Sequence, residues 1–378
     1  MANSNLVEAQ KAKNDEFYTQ YADIEKEISA YLEYNPDVFR DKTLLLPCDD
    51  PEWSNFTKYF AQNFERFGLK KLISTSYAVE SKKYKNGYQP TLFETRDPQF
   101  DKIKTTKNGK IFTLSHDKTG DHKVNVDDLE WHYLTGDGDF RSDEIKKLRD
   151  ESDIIITNPP FSLFREFLAW IVKAKKQLLI IGNMNAITYK EVFPFIKDNK
   201  LWLGATNFNT GMYFQVPKDF VYANTYKFER EQNGVKVNRV PGVCWFTNLE
   251  HGRRHQPLPL MTMADNLKFS KHKEIKGKKS YDVYDNYDAI EIPFTDSIPS
   301  DYDGAMGVPI SFLDKYSPEQ FEILGITDRD NNSGLKTREY TEEDVPNSGD
   351  LNRRGVIKIG NEYKSTYARL LIRKKPKK

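Results

Sequence analysis

Cysteine is scarce in this sequence, since Cys48 and Cys244 are its two instances among 378 residues. Two cysteines supply neither a disulfide framework nor a zinc site built from cysteine, so the sequence excludes both. Few cysteines without a pairing pattern are typical of proteins in a reducing compartment. We therefore expect the protein to reside in the cytoplasm.

Long apolar runs are also missing. No stretch approaches the roughly 20 apolar residues that a membrane-spanning helix needs. The N-terminal segment MANSNLVEAQKAKND is too polar for a signal peptide. These features predict a soluble protein that is not exported and that has no membrane partner.

The third absence is an excess of charge of one sign. Lys and Arg total 57 while Asp and Glu total 56, which gives a net charge of +1. A balanced charge does not by itself attract a polyanion. Any contact with nucleic acid must therefore come from a local cluster of basic residues.

The first 250 residues do contain an alternation of apolar runs and amphipathic patterns. Spacings of three and four residues between apolar side chains indicate helices, and short runs of Leu, Ile and Val indicate strands. The predicted elements are a helix that follows a short DEFYT turn within 15–34, a strand over 43–46, a helix over 53–67, a strand over 69–76, a resumed alternation at 131–140, a strand over 153–157, a helix over 163–174, a strand over 177–181, a helix over about 189–198, and strands near Leu201 and Val243. This order predicts a doubly wound α/β sheet.

Two segments depart from the alternation. Residues from about 80 to 126 are polar, and Thr106–Lys110 resembles a hairpin turn, so we predict an insertion with its own β-hairpin. From His251 onward, short aromatic pieces, prolines and basic clusters replace the strand and helix pattern. The length allows two domains, and we predict one over 1–250, including the insertion, and a second region over 251–378.

The most specific motif is Asn158-Pro159-Pro160-Phe161, directly after the predicted strand 153–157. Two prolines cannot continue a sheet ladder, so they stiffen a loop at the edge where open α/β folds bind ligands. An exocyclic aromatic amine is a poor nucleophile unless acceptors hold its hydrogens and favour a pyramidal nitrogen. The side-chain oxygen of Asn158 and the carbonyl of Pro159 are suitable acceptors, and Phe161 can stack on the target base.

The motif predicts direct, in-line transfer of a methyl group from a sulfonium to the amine, without a covalent enzyme intermediate. A target base in duplex DNA must first leave the stack. No metal is needed for this reaction, and we predict none. In the alternative interpretation the diproline is only a stiff turn and Phe161 is an anchor in the core. The apolar strand before the motif and the helix near Leu163 favour the catalytic interpretation.

Together with other motifs, this loop gives the sequence a resemblance to the EcoRI-type adenine-specific DNA methyltransferases. The similarity includes DEFYTQY at 15–21, CDDP at 48–51, SNF at 54–56 and NPPF at 158–161, and it extends over most of the chain. It implies a Rossmann-like S-adenosylmethionine-dependent methyltransferase sheet with helices on both faces, followed by a C-terminal target-recognition region of mixed α+β character. The order of these parts is that of the gamma class of amino-methyltransferases.

The resemblance also implies the activity and its setting. We expect site-specific transfer of a methyl group from S-adenosyl-L-methionine to the N6 amine of adenine in double-stranded DNA, with flipping of the base. The setting would be a bacterial or phage-infected cell, with or without a cognate restriction endonuclease that is not stably bound. A monomer or a weak dimer is expected.

By the same resemblance, the DEFYT segment and the loop after the first strand hold the cofactor. The residues implicated in this way are Phe17, Tyr18, Thr19, Cys48, Asp49 and Asp50. The loop has no glycine-rich sequence of the kind that many methyltransferases carry, and the resemblance implies that this replacement is normal for the family. A second interpretation makes Asp49 or Asp50 the N-cap of the following helix.

A further acidic loop spans residues 134–142. The carboxylate of Asp139 could accept a hydrogen bond from the adenine amine of the cofactor, and Phe140 could pack on the adenine ring. The alternative is a plain turn in which Asp137 and Asp139 are solvated.

Basic residues concentrate after residue 251. The candidates for contact with DNA phosphates are Arg253, Arg254, Lys271, Lys273, Lys276, Lys278 and Lys279. A run of charge is otherwise only a solvated face. Residues 331–338 form a candidate loop for base contacts, and the basic residues from Arg369 onward are expected to be a frayed tail.

Two other functions remain open from the residues themselves. An NPPF loop also suits the amine of an RNA base or the amide of a protein glutamine. A catalytically silent DNA-binding relative could retain the same fold. Transfer of labelled methyl to duplex DNA distinguishes these functions.

Overall fold

A computed structural model describes residues 18–49, 54–78, 97–206, 208, 211–215, 229–232, 235–328, 330–341, 344, 354–359 and 362–376. The chain separates into two compact units. The first unit contains the residues up to Met184 together with Leu203–His251, and the second contains Asn185–Trp202 together with Gly252–Lys378. Within the described ranges, no helix is long and apolar enough to cross a membrane.

The helices are short, and most of them belong to the first unit. They are α1 Tyr21–Tyr34, α2 Asn55–Gln62, α3 Phe64–Phe67, α4 Lys102–Lys107, α5 Asp143–Glu151, α6 Phe164–Lys173, α7 Phe193–Lys197 and α8 Met263–Phe269.

Among the described residues, the strands form one eight-stranded sheet, two four-stranded sheets and one two-stranded ribbon. They are β1 Tyr18–Thr19, β2 Thr43–Leu46, β3 Lys71–Ser76, β4 Lys110–Leu114, β5 Glu130–Tyr133, β6 Ile154–Thr157, β7 Gln177–Asn183, β8 Trp202–Leu203, β9 Met212–Gln215, β10 Glu229–Gln232, β11 Val235–Val240, β12 Val243–Thr247, β13 Ile290–Glu291, β14 Met306–Pro309, β15 Phe321–Ile326, β16 Val356–Ile359, β17 Glu362–Ser365 and β18 Arg369–Lys374.

The largest sheet has eight strands in the order β5-β4-β3-β2-β6-β7-β12-β8. Its central strands β3, β2, β6 and β7 are parallel, and β12 runs antiparallel to β7. Every residue of β2 and β6 is buried, as expected for strands covered on both faces. The predicted mixed α/β architecture with a large sheet is therefore confirmed, and the strands predicted at 43–46, 153–157 and 177–181 correspond to β2, β6 and β7.

The order of the strands determines where a ligand can bind. The chain leaves β2 for its neighbour β3 on one side and later enters β6 on the other side of β2. At such a switch point the loops after the two central strands diverge and leave a crevice at their carboxyl ends. Here these are the loops that follow β2 and β6.

Aromatic side chains build the core beside this sheet. Phe39 packs against Phe60 and Phe67 with ring centroids 5.7 Å apart in both pairs. The helix predicted over 53–67 is divided into α2 and α3 at Asn63, whose side chain donates to the carbonyl of Tyr59 at 2.9 Å. Trp53 lies outside the described residues.

The first helix begins at Tyr21, after the DEFYT segment as predicted. Tyr18–Thr19, which were predicted as part of a turn, instead pair antiparallel with β9. The sheet β1-β9-β11-β10 was not predicted. The proposed hairpin at Thr106–Lys110 is wrong, because Asp101 caps α4 through Ile103 and Lys104, and the Asn-Gly pair ends that helix before β4 joins the large sheet.

Arg369, Arg373 and Lys374 do not belong to a frayed tail. Arg369–Lys374 form β18, the strand between β14 and β15 in the sheet β13-β14-β18-β15. The guanidinium of Arg369 contacts both carboxylate oxygens of Glu291, at 2.7 Å for its closest approach. Tyr284 donates its hydroxyl to the same carboxylate. A buried charge pair of this kind is an internal part of the second unit.

A second buried carboxylate connects α1 to the segment after β8. Glu27 is buried and accepts hydrogen bonds from the hydroxyl of Tyr31 at 2.8 Å, the backbone amide of Ala205 at 2.8 Å and the hydroxyl of Thr206. Burial raises the pKa of Glu27 above its ordinary value, although the three donors act in the opposite direction. Desolvation of the charge therefore outweighs its hydrogen bonds.

Replacement of Glu27 by Gln tests this balance through the pH dependence of stability. The folded state binds the proton of Glu27 more tightly than the unfolded state does, because its pKa lies above the ordinary value of 4.5. Its contribution to stability is complete below that value and is lost as the pH rises through the folded pKa. A glutamine has no such proton. We therefore expect the free energy of unfolding of Glu27→Gln to rise relative to wild type over this window, as measured by urea unfolding at a series of pH values.

The control for this measurement is Glu33→Gln, which replaces an exposed glutamate of the same helix. Its pH profile should follow that of the wild type. Parallel profiles for Glu27→Gln and the wild type would show that Glu27 does not have a raised pKa in the folded protein.

Candidate active site

The loops after β2 and β6 begin side by side, because Leu44 is paired with Ile154 and Leu45 with Ile155 in parallel register. Asp49 follows β2, and Asn158 follows β6. The two segments that the sequence assigned to the cofactor and to catalysis therefore start at the same edge of the sheet.

The Asp49 carboxylate joins these two loops. One of its oxygens accepts a hydrogen bond from the hydroxyl of Thr157 at 2.6 Å, and the other accepts from the hydroxyl of Ser54 at 2.7 Å. All three residues are buried. Buried polar oxygens of this kind must be satisfied by hydrogen-bond donors, because they are cut off from water. Thr157 is the last residue before the NPPF motif, so the carboxylate holds the start of that loop.

The backbone of Asp49 is also engaged. Its amide donates to the carbonyl of Thr75 at 3.1 Å, and its carbonyl accepts from the hydroxyl of Ser74. Thr57 and Ser74 are hydrogen-bonded to each other at 2.9 Å. Asp49 therefore connects β2 with β3, α2 and β6.

The N-cap of α2 is Ser54. Its hydroxyl accepts from the backbone amide of Phe56 at 3.1 Å while it donates to Asp49. The interpretation of Asp49 as the cap is therefore wrong, because the carboxylate acts on the capping hydroxyl instead of on the helix amides. Asp50 lies outside the described residues.

The end of the DEFYT segment reaches the same place. The side-chain amide of Asn55 donates to the carbonyl of Thr19 at 2.7 Å, and Asn55 follows Ser54 at the start of α2. Thr19 is buried, and its hydroxyl has no hydrogen-bond partner among the described residues. Phe17 lies outside the described part of the chain, as does the side chain of Tyr18. The structure thus brings three predicted segments together through Thr19, Ser54 and Thr157.

The NPPF loop turns sharply at its second proline. The carbonyl of Pro160 accepts from the amide of Leu163 at 2.9 Å, which closes a short 3-10 turn over Phe161–Leu163 before α6. Pro159 is buried, whereas Asn158 and Pro160 are half-buried. Phe161 is half-buried and packs against the core of the first unit. Part of its ring surface thus anchors the loop, and the remainder is exposed.

Gly182, in β7, leaves space for the first residue of α6, which follows the NPPF loop. A Cβ atom at this position of β7 would collide with the ring of Phe164, which is the first residue of α6. The Phe164 ring packs against Phe246 with centroids 5.0 Å apart. The missing side chain thus lets α6 begin directly over the sheet.

The acidic loop after β5 lies at the end of β3. Gly138 has a φ of +89°, and a Cβ atom there would collide with the carbonyl of Ser76. The amide of Ala78 donates to the carbonyl of Asp137 at 2.8 Å. Glycine is required at position 138 because φ is positive there and because a Cβ atom would not fit. The loop is thereby fixed against the carboxyl end of a central strand.

Within that loop, Asp139 forms an ion pair, whereas Phe140 is buried. Asp139 forms a two-point ion pair with Arg141 at 2.5 and 2.8 Å, and this hydrogen bonding lowers the pKa of the carboxyl. Phe140 is 1% exposed, and its ring packs edge-on against Phe167 and Trp170. Its ring surface is covered by these two neighbours.

Tyr77 directly follows β3, at the same edge of the sheet as the loop after β2, and was not among the predicted site residues. Burial raises its pKa above the ordinary value, and the charges of Cys48 and Asp139 add to this effect. An aromatic residue directly after a predicted strand was the available signal, because β3 ends at the same edge as β2.

The arginines that were predicted to contact DNA are held within the second unit. Arg253 pairs with Asp314 at 2.6 Å. Arg254 is 4% exposed, and its guanidinium lies 3.7 Å above the ring of Trp202.

The lysines that were predicted to contact DNA are exposed. Two of them form surface ion pairs, Lys271 with Asp296 at 2.9 Å and Lys278 with Asp282 at 2.6 Å. Lys273, Lys276 and Lys279 are exposed as well. The contact of these lysines with DNA stays a prediction.

Comparison with known proteins decides the family. A family model described as adenine-specific methyltransferase EcoRI matches residues 5–375. The chain belongs to this family. It is 43% identical over 332 residues to the type II methyltransferase M.EcoRI of Escherichia coli, which covers 87% of this chain and 92% of the relative. It is 33% identical over 317 residues to the type II methyltransferase M.MpnI of Mycoplasma pneumoniae, covering 84% and 83%. No solved structure shows a significant match.

Membership in the EcoRI methyltransferase family confirms the resemblance that the motifs indicated. The motifs that carried it are the ones that the structure brings together around Asp49. The contact between Asp49 and Thr157 joins the loop after β2 to the NPPF loop.

A double-mutant cycle measures this contact. Thr157→Val removes one hydroxyl from the carboxylate, and we expect a loss of about 1–2 kcal/mol in the free energy of unfolding. In the background of Asp49→Asn the same change should cost less. The resulting interaction energy should be at least about 0.5 kcal/mol, as measured by urea unfolding of the four proteins.

Thr75→Val is the matched control, since Thr75 is buried in the neighbouring strand and its hydroxyl has no partner among the described residues. Its effect should add to that of Asp49→Asn within about 0.5 kcal/mol. Additivity for Thr157→Val as well would mean that its hydroxyl does not interact with Asp49.

Proposed function

We propose that this chain is a site-specific DNA methyltransferase that transfers a methyl group from S-adenosyl-L-methionine to the N6 amine of adenine in double-stranded DNA. The family match and the names of the relatives support the activity. The observation that carries the mechanism is the NPPF loop, attached through Thr157 and Asp49 to the loop after β2. The amine and the methyl donor would meet at this attachment.

The NPPF loop supplies hydrogen-bond acceptors at a fixed position. The side-chain oxygen of Asn158 and the carbonyl of Pro159 would accept from the two hydrogens of the adenine amine and favour a pyramidal, nucleophilic nitrogen. The turn at Pro160 and the hydrogen bond at Thr157 hold both acceptors before the substrate arrives. Acceptors that are fixed in advance need no reorganisation during the reaction, which is the main source of electrostatic catalysis. The exposed part of Phe161 would stack on the flipped base.

The residues at the sheet edge fit the methyl donor. Bound S-adenosylmethionine supplies an electrophilic methyl group on a sulfonium. The buried hydroxyl of Thr19, which has no partner among the described residues, would interact with it, and Cys48, Tyr77 and Asp139 would line the rest of the cleft. This assignment gives the eight-stranded sheet the role of a Rossmann-like methyltransferase sheet with helices on both faces. The Asp49 carboxylate would orient the loop through Ser54 and Thr157.

The second unit would hold the DNA. The exposed lysines between Lys271 and Lys279 would contact phosphates, which position a duplex without reading its sequence. We also propose that the protein acts in the bacterial cytoplasm, either in restriction-modification or alone. It would work as a monomer or a weak dimer.

Transfer of labelled methyl from S-adenosylmethionine to duplex DNA tests the proposal. We expect the wild type to label the N6 position of adenine in duplex DNA and not RNA or a glutamine peptide. Asn158→Ala should lower kcat by about 100- to 1000-fold, in line with the loss of one fixed hydrogen-bonding group from a reaction centre. Asn35→Ala, at an exposed asparagine after α1, is the control and should keep wild-type activity.

Two outcomes would contradict the proposal in different ways. Labelling of RNA or of a glutamine amide, with inert duplex DNA, would assign a different substrate. Equal labelling of DNA by Asn158→Ala and the wild type would remove Asn158 from the mechanism.

A further inference from the structure

The two-stranded ribbon β16–β17 is anchored at one end. Val356 is paired with Ser365, and Ile357 with Lys364. Val356 and Ile357 are buried. The amide of Val356 donates to the side-chain oxygen of Asn286 at 2.8 Å, and its carbonyl accepts from the amide of Asp285 at 2.8 Å. The base of the ribbon is therefore fixed within the second unit.

The other end of the ribbon is exposed on both faces. The pairs Lys358–Tyr363 and Ile359–Glu362, together with Lys364, are called the outer half here, and all five side chains are exposed. Ile359 is 52% exposed and Tyr363 is 39% exposed. A strand in a folded protein normally buries alternate side chains against a core. Because Ile359 and Tyr363 belong to adjacent cross-strand pairs, they lie on opposite faces of the ribbon. Each face thus exposes an apolar or aromatic side chain, and such exposure on a ribbon with a fixed base indicates a binding surface.

The chemistry of the outer half favours nucleic acid over an apolar protein surface. Lys358 and Lys364 outnumber the acidic Glu362. The ammonium group of Lys358 lies 5.7 Å from the ring centroid of Tyr363. Beside the ribbon, Tyr367 is 77% exposed, and the guanidinium of Arg354 lies 5.5 Å from its ring. Cations combined with flat rings suit phosphates together with sugars and bases.

We propose that the outer half of the β16–β17 ribbon enters the major groove of duplex DNA with its two faces toward the two phosphate backbones. Lys358, beside Tyr363, would contact one backbone, and Lys364, on the opposite face, would contact the other. The major groove admits a two-stranded ribbon. The proposal rests on the proposed DNA methyltransferase function and adds a second element that holds the duplex. Because the base of the ribbon is fixed at Val356, the outer half would keep its position when it contacts DNA.

The double variant Lys358→Ala/Lys364→Ala tests the proposal. We expect at least tenfold weaker binding of a fluorescent duplex, measured by anisotropy over a range of salt concentrations. The slope of log affinity against log salt should fall in magnitude by about 2, because each phosphate contact contributes roughly one unit. The value of kcat at saturating DNA should stay within about twofold of wild type, since neither lysine belongs to the catalytic loop.

The controls separate charge from folding. Lys358→Arg/Lys364→Arg keeps both charges and should restore affinity and salt slope. Lys102→Ala/Lys107→Ala removes two exposed lysines from α4 in the first unit and should leave both quantities unchanged. Tyr363→Ala should weaken duplex binding, whereas Tyr34→Ala, at another exposed tyrosine, should not.

The outcomes distinguish this proposal from the one on which it rests. Wild-type affinity and salt slope in the Lys358→Ala/Lys364→Ala variant, in a protein that still methylates DNA, would overturn the ribbon assignment and leave the methyltransferase function intact. A wild type that neither binds nor methylates duplex DNA would overturn the proposed function, and the ribbon assignment with it.

Discussion

The Asp49 carboxylate is the contact on which the candidate active site depends. It is buried, and it accepts hydrogen bonds from the hydroxyls of Ser54 and Thr157. A buried charge without partners would cost several kcal/mol, so the fold that buries it must also supply the donors. Those donors come from the start of α2 and from the end of β6. Burial of one side chain thus fixes the loop after β2 relative to the NPPF loop, and neither loop can shift without leaving the charge unpaired.

For the proposed reaction, this contact matters because it sets the positions of the two loops relative to each other. A methyl donor bound at the loop after β2 and an amine held by the NPPF loop must align to within a fraction of an ångström for in-line transfer. Parallel pairing of β2 with β6 sets the two loops at one edge of the sheet, but pairing alone leaves the loops themselves undetermined. The carboxylate supplies the missing constraint. Asn55 extends it to Thr19 at the end of the DEFYT segment.

The strands and motifs of this arrangement could be predicted from the sequence, but the hydrogen bonds that connect them could not. Short apolar runs located β2, β6 and β7, because strands buried on both faces have few other residue choices. The NPPF motif and its neighbours identified the family. The role of Asp49 as a bridge was not predictable, because it depends on Thr157, which is 108 residues away. The helix α4 was missed because an Asn-Gly pair suits a hairpin and a helix end equally well, and β18 was missed because its charged ends obscured the buried Leu370, Leu371 and Ile372.

A crystal structure of the protein with S-adenosylmethionine bound would show whether Asp49 keeps both of its contacts. We expect the Asp49 carboxylate still to accept from both the Ser54 and the Thr157 hydroxyls, each at about 3 Å or less. The ligand would then contact the loop through other groups. A carboxylate that turns toward the ligand, with either hydroxyl more than roughly 3.5 Å away, would contradict this expectation.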